Sequence, residues 1–281
     1  MIPAGVDLAG FRDCATKLAM AAGRTLMQHS ASAASTVESK GRRRELVTAA
    51  DRAAEHGIVS GLLAAFPDHA VLAEEGVLTT QGKASKTADW TWIIDPLDGT
   101  TNFVHGLPFF AVAIALAYRD EPVVGVVHAP ALGETFAAAR GLGAQRWRGE
   151  AAPVALRVSR TAELADALLA TGFSYNRNEP GRDDNSARLA AVLPHCRDLR
   201  RLGSAELDLC YTACGTYDGY WELYLAPYDV AAGAVVVAEA GGRVTDLAGG
   251  QDWLHGGQVL ASNGLLHDTL LRHVGTRNAP R

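Results

Sequence analysis

Long uninterrupted apolar runs are missing from this chain. No window approaches the roughly 18 residues that a membrane-spanning helix needs, although hydrophobic residues make up 48% of the sequence. The first 27 residues carry Asp7, Arg12, Asp13, Lys17 and Arg24 at scattered positions, which breaks any signal-peptide core. Cysteine is scarce. Cys14, Cys196, Cys210 and Cys214 form no CxxC pair and have no histidine at zinc-site spacing, so neither a disulfide framework nor a structural zinc site is expected. They read as reduced thiols of a cytoplasmic protein, with Cys210 and Cys214, four apart on a helix, packing in the core. An excess of positive charge is absent too. With 26 Lys+Arg against 31 Asp+Glu, the net charge is −5, which argues against nucleic acid as the main partner. Arg42-Arg43-Arg44 is one local exception. Internal repeats and low-complexity segments are also lacking.

What is present is ample apolar surface. Over 281 residues it is enough to bury about three quarters of the surface of the unfolded chain, which excludes disorder as the dominant state. Residues 7–29 place Leu8, Phe11, Ala15, Leu18, Ala19, Ala22 and Leu26 at helical spacing, predicting an amphipathic helix. A polar, Ser-rich connection follows over 30–41. Thr48 and Asp51 open a second helix that runs to Phe66 and stops at Pro67-Asp68. Ala70–Ala73 is a short apolar run, and 77–89 reads as a solvated loop. Strands are predicted over 90–94, 111–118, 123–129 and 134–139, and the turn-rich 141–150 reads as a link. Beyond it, strands near 167–171, 197–201 and 218–224 alternate with helices near 183–193, 204–214 and 228–240. A strand–helix pair closes the chain at 257–273. The expected class is layered α/β (α+β), with an N-terminal half at 1–145 and a C-terminal half at 146–281.

The segment richest in chemistry is Trp92-Ile93-Ile94-Asp95-Pro96-Leu97-Asp98-Gly99-Thr100-Thr101-Asn102-Phe103. An apolar strand runs into two aspartates three residues apart, Pro96 fixes a bend, and a helix can start after Gly99. Such a strand end offers carboxylates to a hard cation and backbone N–H groups to a phosphate. It also fits a plain turn whose aspartates cap the next helix. Asp51, Glu74 and Asp229 each stand at the border of an apolar element, where a carboxylate is costly without a partner. Each alone fits a helix cap. If they converge with Asp95 and Asp98, repulsion of about 4 kcal/mol per pair at 4 Å calls for cations or raised pKa values. An all-oxygen donor set selects Mg²⁺, Mn²⁺ or Ca²⁺ over zinc, and no EF-hand spacing favours calcium.

These motifs resemble the inositol monophosphatase family of lithium-sensitive, Mg²⁺-dependent phosphatases, in the same order and over nearly the whole chain. Residues 92–106 (WIIDPLDGTTNFVHG) match its WIxDPxDGTxNFxxG signature. Residues 71–75 (VLAEE) match its xxGEE element with Ala73 for the usual Gly. Residues 228–242 (YDVAAGAVVVAEAGG) match WDxAAGxxxxxEAGG with Tyr228 for the usual Trp. The resemblance implies an αβαβα layered sandwich with its site between the halves, two or three Mg²⁺ ions, and a homodimer. It implies that Glu74, Asp95 and the Leu97 carbonyl hold a first ion and that Asp95, Asp98 and Asp229 hold a second. A third, weaker ion would lean on Glu74. Asp51 and Thr100 would orient the attacking water, and the N–H groups of Gly99 and Thr100 would hold phosphate. Ala205 and Glu222, together with Asp98 and Asp229, would contact the substrate, Glu74 would share in catalysis with Asp51 and Thr100, and Lys40 would lie near the phosphate.

The substrate implied is a small phosphorylated polyol, myo-inositol monophosphate first. Histidinol phosphate, fructose 1,6-bisphosphate and nucleotide 3'-phosphates are the alternatives within the family. A non-catalytic regulator binding protein or RNA, and a metal-buffering protein, are the alternatives of other classes. Glu206, beside Ala205, reads as a solvated helix face. Arg42-Arg43-Arg44 reads as a surface run or as a rim attracting a second phosphate or a nucleotide. Ser204 reads as a helix cap. No Ser-, Cys- or His-based nucleophile is apparent, and the remaining histidines read as surface or packing residues.

Overall fold

The computed structural model describes residues 2–30, 38–39, 46–47, 49–76, 88–175 and 177–275. Lys40 and Arg42–Arg44 lie outside the described residues, as does most of the segment read as a solvated loop.

Two long helices open the chain. α1 (Leu8–His29) is capped by the Asp7 carboxylate, which accepts the Gly10 N–H at 2.8 Å. α2 (Ala49–Ala65) carries Asp51 in its first turn and ends ahead of Pro67. The short strands β1 (Glu38–Ser39) and β2 (Leu46–Val47) pair with each other. β3 (Ala70–Ala73), β4 (Trp90–Asp98), β5 (Ala111–Tyr118), β6 (Glu121–Ala129), β7 (Glu134–Ala139), β8 (Gly143–Arg148) and β9 (Val154–Ala155) form a seven-stranded sheet in that order. β3 and β4 run parallel and the remaining neighbours antiparallel. The short helix α3 (Thr100–Val104) leaves the end of β4.

A five-stranded sheet follows, built from β10 (Leu168–Thr171), β11 (Asp198–Arg200), β12 (Gly219–Leu223), β13 (Arg243–Thr245) and β14 (Gln258–Ser262), in the order β11-β10-β12-β14-β13. Four helices accompany it: α4 (Ser186–Val192), α5 (Ala205–Ala213), α6 (Ala231–Glu239) and α7 (His267–Val274).

The alternation along β5 explains the layers. Val112, Ile114 and Leu116 pack toward α1 and α2, whereas Ala111, Ala113, Ala115 and Ala117 face α5 and α6. The small residues on the second face let those helices approach closely. At Gly125 of β6 a Cβ would fall 2.2 Å from the Ala232 carbonyl oxygen. α5 and α6 are thus enclosed between the sheets, and α4 and α7 cover the far face of the smaller one. The result is the αβαβα sandwich that the resemblance implied. Among the described residues, no helix is long and apolar enough to cross a membrane.

Two readings need correction, and one strand was not foreseen. Residues 143–148 are not a link but β8, whose half-buried Gln145 and Arg146 and exposed Arg148 hide the apolar alternation of a buried strand. β13 is too short to leave a periodic signal. The helix expected over 228–240 is split, with a 3₁₀ turn at Pro227–Asp229 before α6. Cys210 is buried in the core, as its spacing suggested, and the four cysteines are free thiols.

Candidate active site

The site grows from the end of β4. Pro96 has no N–H to donate to a sheet ladder, and the β4–β5 register shifts between Asp95 and Asp98. This bulge re-aims the strand just where the two carboxylates lie. The Asp95 carboxylate accepts the Leu97 N–H at 2.9 Å. Gly99 then turns at φ 91°, a left-handed conformation suited to glycine. Thr100 opens α3. Its hydroxyl donates to the Leu97 carbonyl at 3.1 Å and lies 3.5 Å from Asp51 Oδ1. Asp51 is fully buried in the first turn of α2.

Three further elements converge there. The Glu74 N–H donates to the Ile94 carbonyl, continuing the β3–β4 pairing past the end of β3. The next N–H, of Glu75, donates to the buried Glu55 carboxylate at 2.7 Å, tying this turn to α2. Asp229 ends the 3₁₀ turn ahead of α6 and accepts the Ala226 N–H at 2.6 Å. Asp98 accepts from the Ser204 hydroxyl at 2.6 Å and from the Ala205 and Glu206 N–H groups at 3.2 and 2.8 Å, so it anchors the first turn of α5. Ser204 also caps that helix, as read from the sequence.

Glu74, Asp95, Leu97, Asp98, Gly99, Thr100, Ala205, Glu222 and Asp229 all line one cleft. Asp51 reaches it through Thr100. The cleft is strongly acidic, with Arg201 its one cation among the described lining residues. Burial raises the Asp95 carboxyl well above the usual range, and the charges of Glu74, Asp98 and Asp229 push it further. Burial and neighbouring carboxylates raise Asp229 in the same way, against the Ala226 hydrogen bond. Asp98 is pushed only to about 6, because Ser204 and two N–H groups stabilise its anion against burial. Glu222 rises to about 7 through burial, opposed by the Tyr220 hydroxyl that donates to it at 2.7 Å.

Such an array is electrostatically unfavourable unless positive charge joins it. Its donors are carboxylates and the Leu97 carbonyl, with no imidazole or thiolate among the described lining residues. That donor chemistry fits a hard divalent cation. The carboxylates share a cleft without forming a tight shell: among the described residues, no group of three His, Cys, Asp or Glu is arranged as a ready ligand cluster.

Other lining residues were not foreseen. Arg201 had a weak signal in the Arg200-Arg201 pair ahead of Gly203. Phe173, Tyr175 and Tyr224 had none, since they reach the cleft only through the packing of loops after β10 and β12. Tyr175 meets the Thr101 hydroxyl at 3.0 Å. The reading of Glu206 as a solvated face is overturned, because α5 lies between two sheets and Glu206 is 0% exposed.

Comparison with known proteins shows the family. The family model described as "Inositol monophosphatase family" matches residues 7–279. A Nus factor SuhB from Vibrio cholerae is 43% identical over 230 residues, 82% of each chain. An inositol monophosphatase 2 from Solanum lycopersicum is 40% identical over 262 residues, covering 93% of this chain and 96% of that one. The solved structure of an inositol monophosphatase from Anabaena superposes with a TM-score of 0.83 at 39% identity, covering 95% and 96% of the two chains. This chain belongs to the inositol monophosphatase family of phosphatases.

Proposed function

We propose that the protein is a Mg²⁺-dependent phosphomonoesterase acting on a small polyol phosphate, with myo-inositol monophosphate as the first candidate. The observation that carries this reading is the gathering of Glu74, Asp95, Asp98 and Asp229 in one cleft with Glu222. The first four suit magnesium. Glu222 suits a polyol, because a carboxylate accepts hydrogen bonds from hydroxyl groups.

Glu74, Asp95 and the Leu97 carbonyl would hold one ion, and Asp95, Asp98 and Asp229 a second, with Glu74 also serving a third. When bound, the ions lower the pKa of water and offset the charge on the phosphate and the departing oxygen. The residues of the chain supply alignment. The Gly99 and Thr100 N–H groups hold phosphate oxygens. Thr100, backed by Asp51 at 3.5 Å, orients a water in line with the ester bond. The water oxygen bonds to phosphorus and gives up a proton, the P–O ester bond breaks, and the departing oxygen takes up a proton, so that the alcohol and inorganic phosphate leave. Phosphoryl transfer relies on positioning and charge stabilisation, so no covalent nucleophile is invoked. Ala205 leaves room for the ring, and Glu222 receives its hydroxyls.

Phosphate release from a panel of esters with Mg²⁺ tests this directly. The panel holds inositol 1-phosphate, histidinol phosphate, fructose 1,6-bisphosphate and adenosine 3',5'-bisphosphate. Inositol 1-phosphate should give the highest kcat/KM, and Li⁺ should inhibit. Turnover of none of the four would defeat the proposal. Relatives named Nus factor, such as the one from Vibrio cholerae, favour a second, non-catalytic role. Such a role would survive Asp95→Asn, whereas phosphatase activity would not. We further propose a homodimer acting in the cytoplasm, and light scattering checks the mass.

A further inference from the structure

The N-terminus of α6 has a capping problem. Its N-cap residue is Val230, whose side chain accepts no hydrogen bond. The N–H groups of the first turn therefore need acceptors from elsewhere, since they lie in the buried layer between the sheets. Glu206 of α5 supplies acceptors for two of them. Its Oε1 accepts the Ala232 N–H at 3.2 Å, and its Oε2 accepts the Gly233 N–H through a short contact. These are the second and third positions of the helix, the ones an ordinary N-cap side chain would serve. Gly233 is adapted to this carboxylate: a Cβ there would fall 2.6 Å from Glu206 Oε2.

The same residue reaches the other side of the site through its backbone. The Glu206 N–H donates to Asp98 Oδ2 at 2.8 Å. Asp98 thus anchors the start of α5, and Glu206, within that first turn, anchors the start of α6. α6 begins two residues after Asp229. Glu206 therefore ties the carboxylate of Asp98, through its N–H, to the first turn of α6, through its side chain, and that turn follows directly on the one that presents Asp229. Burying a carboxylate is costly, and a solvated or apolar side chain would satisfy neither N–H.

We propose that Glu206 is a positioning residue that sets the spacing between Asp98 and Asp229, and so the affinity of the cation those two share. This rests on the metal-dependent reading above. Glu206 is not among the described residues that line the cleft; it acts through the two aspartates.

The test uses Mn²⁺ as the probe, followed by electron paramagnetic resonance on the full-length protein, so that turnover is not the readout. Glu206→Ala should weaken Mn²⁺ binding about 10-fold, the lower range for a residue supporting a ligand. Glu206→Gln, which keeps one acceptor, should fall between. Should the Ala variant not fold, the Gln variant carries the same test. Asp7→Ala, which removes the cap of α1 far from the cleft, serves as the control. It should lower Tm without changing Mn²⁺ affinity. Folded Glu206 variants that bind Mn²⁺ as tightly as the unaltered protein, whatever their Tm, would overturn the inference and leave the metal-dependent reading standing. An unaltered protein that binds no Mn²⁺ would overturn both.

Discussion

Asp95 shows how a single residue serves function against stability. Its carboxyl is raised well above the usual range by burial and by three neighbouring carboxylates, so the fold by itself disfavours its anion. Asp95→Asn removes that charge at nearly the same volume. In chelator, Tm of this variant should equal or exceed that of the unaltered protein. Activity in Mg²⁺ should fall at least about 100-fold, because losing even a supporting residue around a metal ligand costs about 10–100-fold. A circular-dichroism melt and a phosphate-release assay check the two halves. Gly99 makes the opposite case, being needed for its backbone. At φ 91° an alanine costs about 1–2 kcal/mol, and its Cβ would stand 2.8 Å from the Phe109 carbonyl oxygen. Gly99→Ala should lower Tm and also kcat, since the residue joins Asp98 to Thr100. A variant unchanged in both would show that the turn is not under strain.

At the scale of elements, legibility followed the strength of the local signal. α1, α2, β5 and β7 were readable because burial on one or both faces leaves a periodic or continuous apolar record. β8 and β13 were not, being partly exposed and short, respectively. Pro96 was legible as a bend, but not as a bulge between two paired strands, because a bulge is defined by the partner strand. The contact between α7 and β14 is another product of tertiary packing. His267 opens α7 fully buried, with one ring nitrogen 2.8 Å from the Ser262 hydroxyl and the other 2.9 Å from that of Thr245. Burial lowers its pKa from 6.5 to about 4. A depressed histidine stabilises the fold while neutral, so its contribution is present above pH 6.5 and is lost as pH falls toward 4. The raised carboxylates of the metal-free cleft have the opposite sign, losing stability as pH rises. Comparison with His267→Gln isolates the histidine. The urea midpoint of the variant, relative to the unaltered protein, should recover as pH falls from 6.5 to 4. A constant difference over that range would remove the assignment.

At the scale of the whole molecule, the cleft is a property of topology. Glu74, Asp95 and Asp98 leave the strands of the seven-stranded sheet, while Arg201, Glu222 and Asp229 follow β11, end β12 or precede α6. Motif resemblance named most of these residues from sequence. Their convergence was implied by that resemblance but not legible in the residues themselves, because it depends on α5 and α6 being clamped between two sheets. One consequence is thermodynamic. A cation held by carboxylates from both regions binds the folded molecule and not the unfolded chain, so it stabilises the whole by mass action. At a concentration 100 times its Kd the gain is about 2.7 kcal/mol, which for a chain of this size raises Tm by roughly 5–10 °C. A thermal melt against Mg²⁺ concentration should show this rise. Asp229→Asn should lose much of it although Glu74 and Asp95 remain, because the proposed second ion needs a ligand from beyond the seven-stranded sheet. A full Mg²⁺-dependent rise in Asp229→Asn would place the cation on the seven-stranded side alone and leave Asp229 outside its shell.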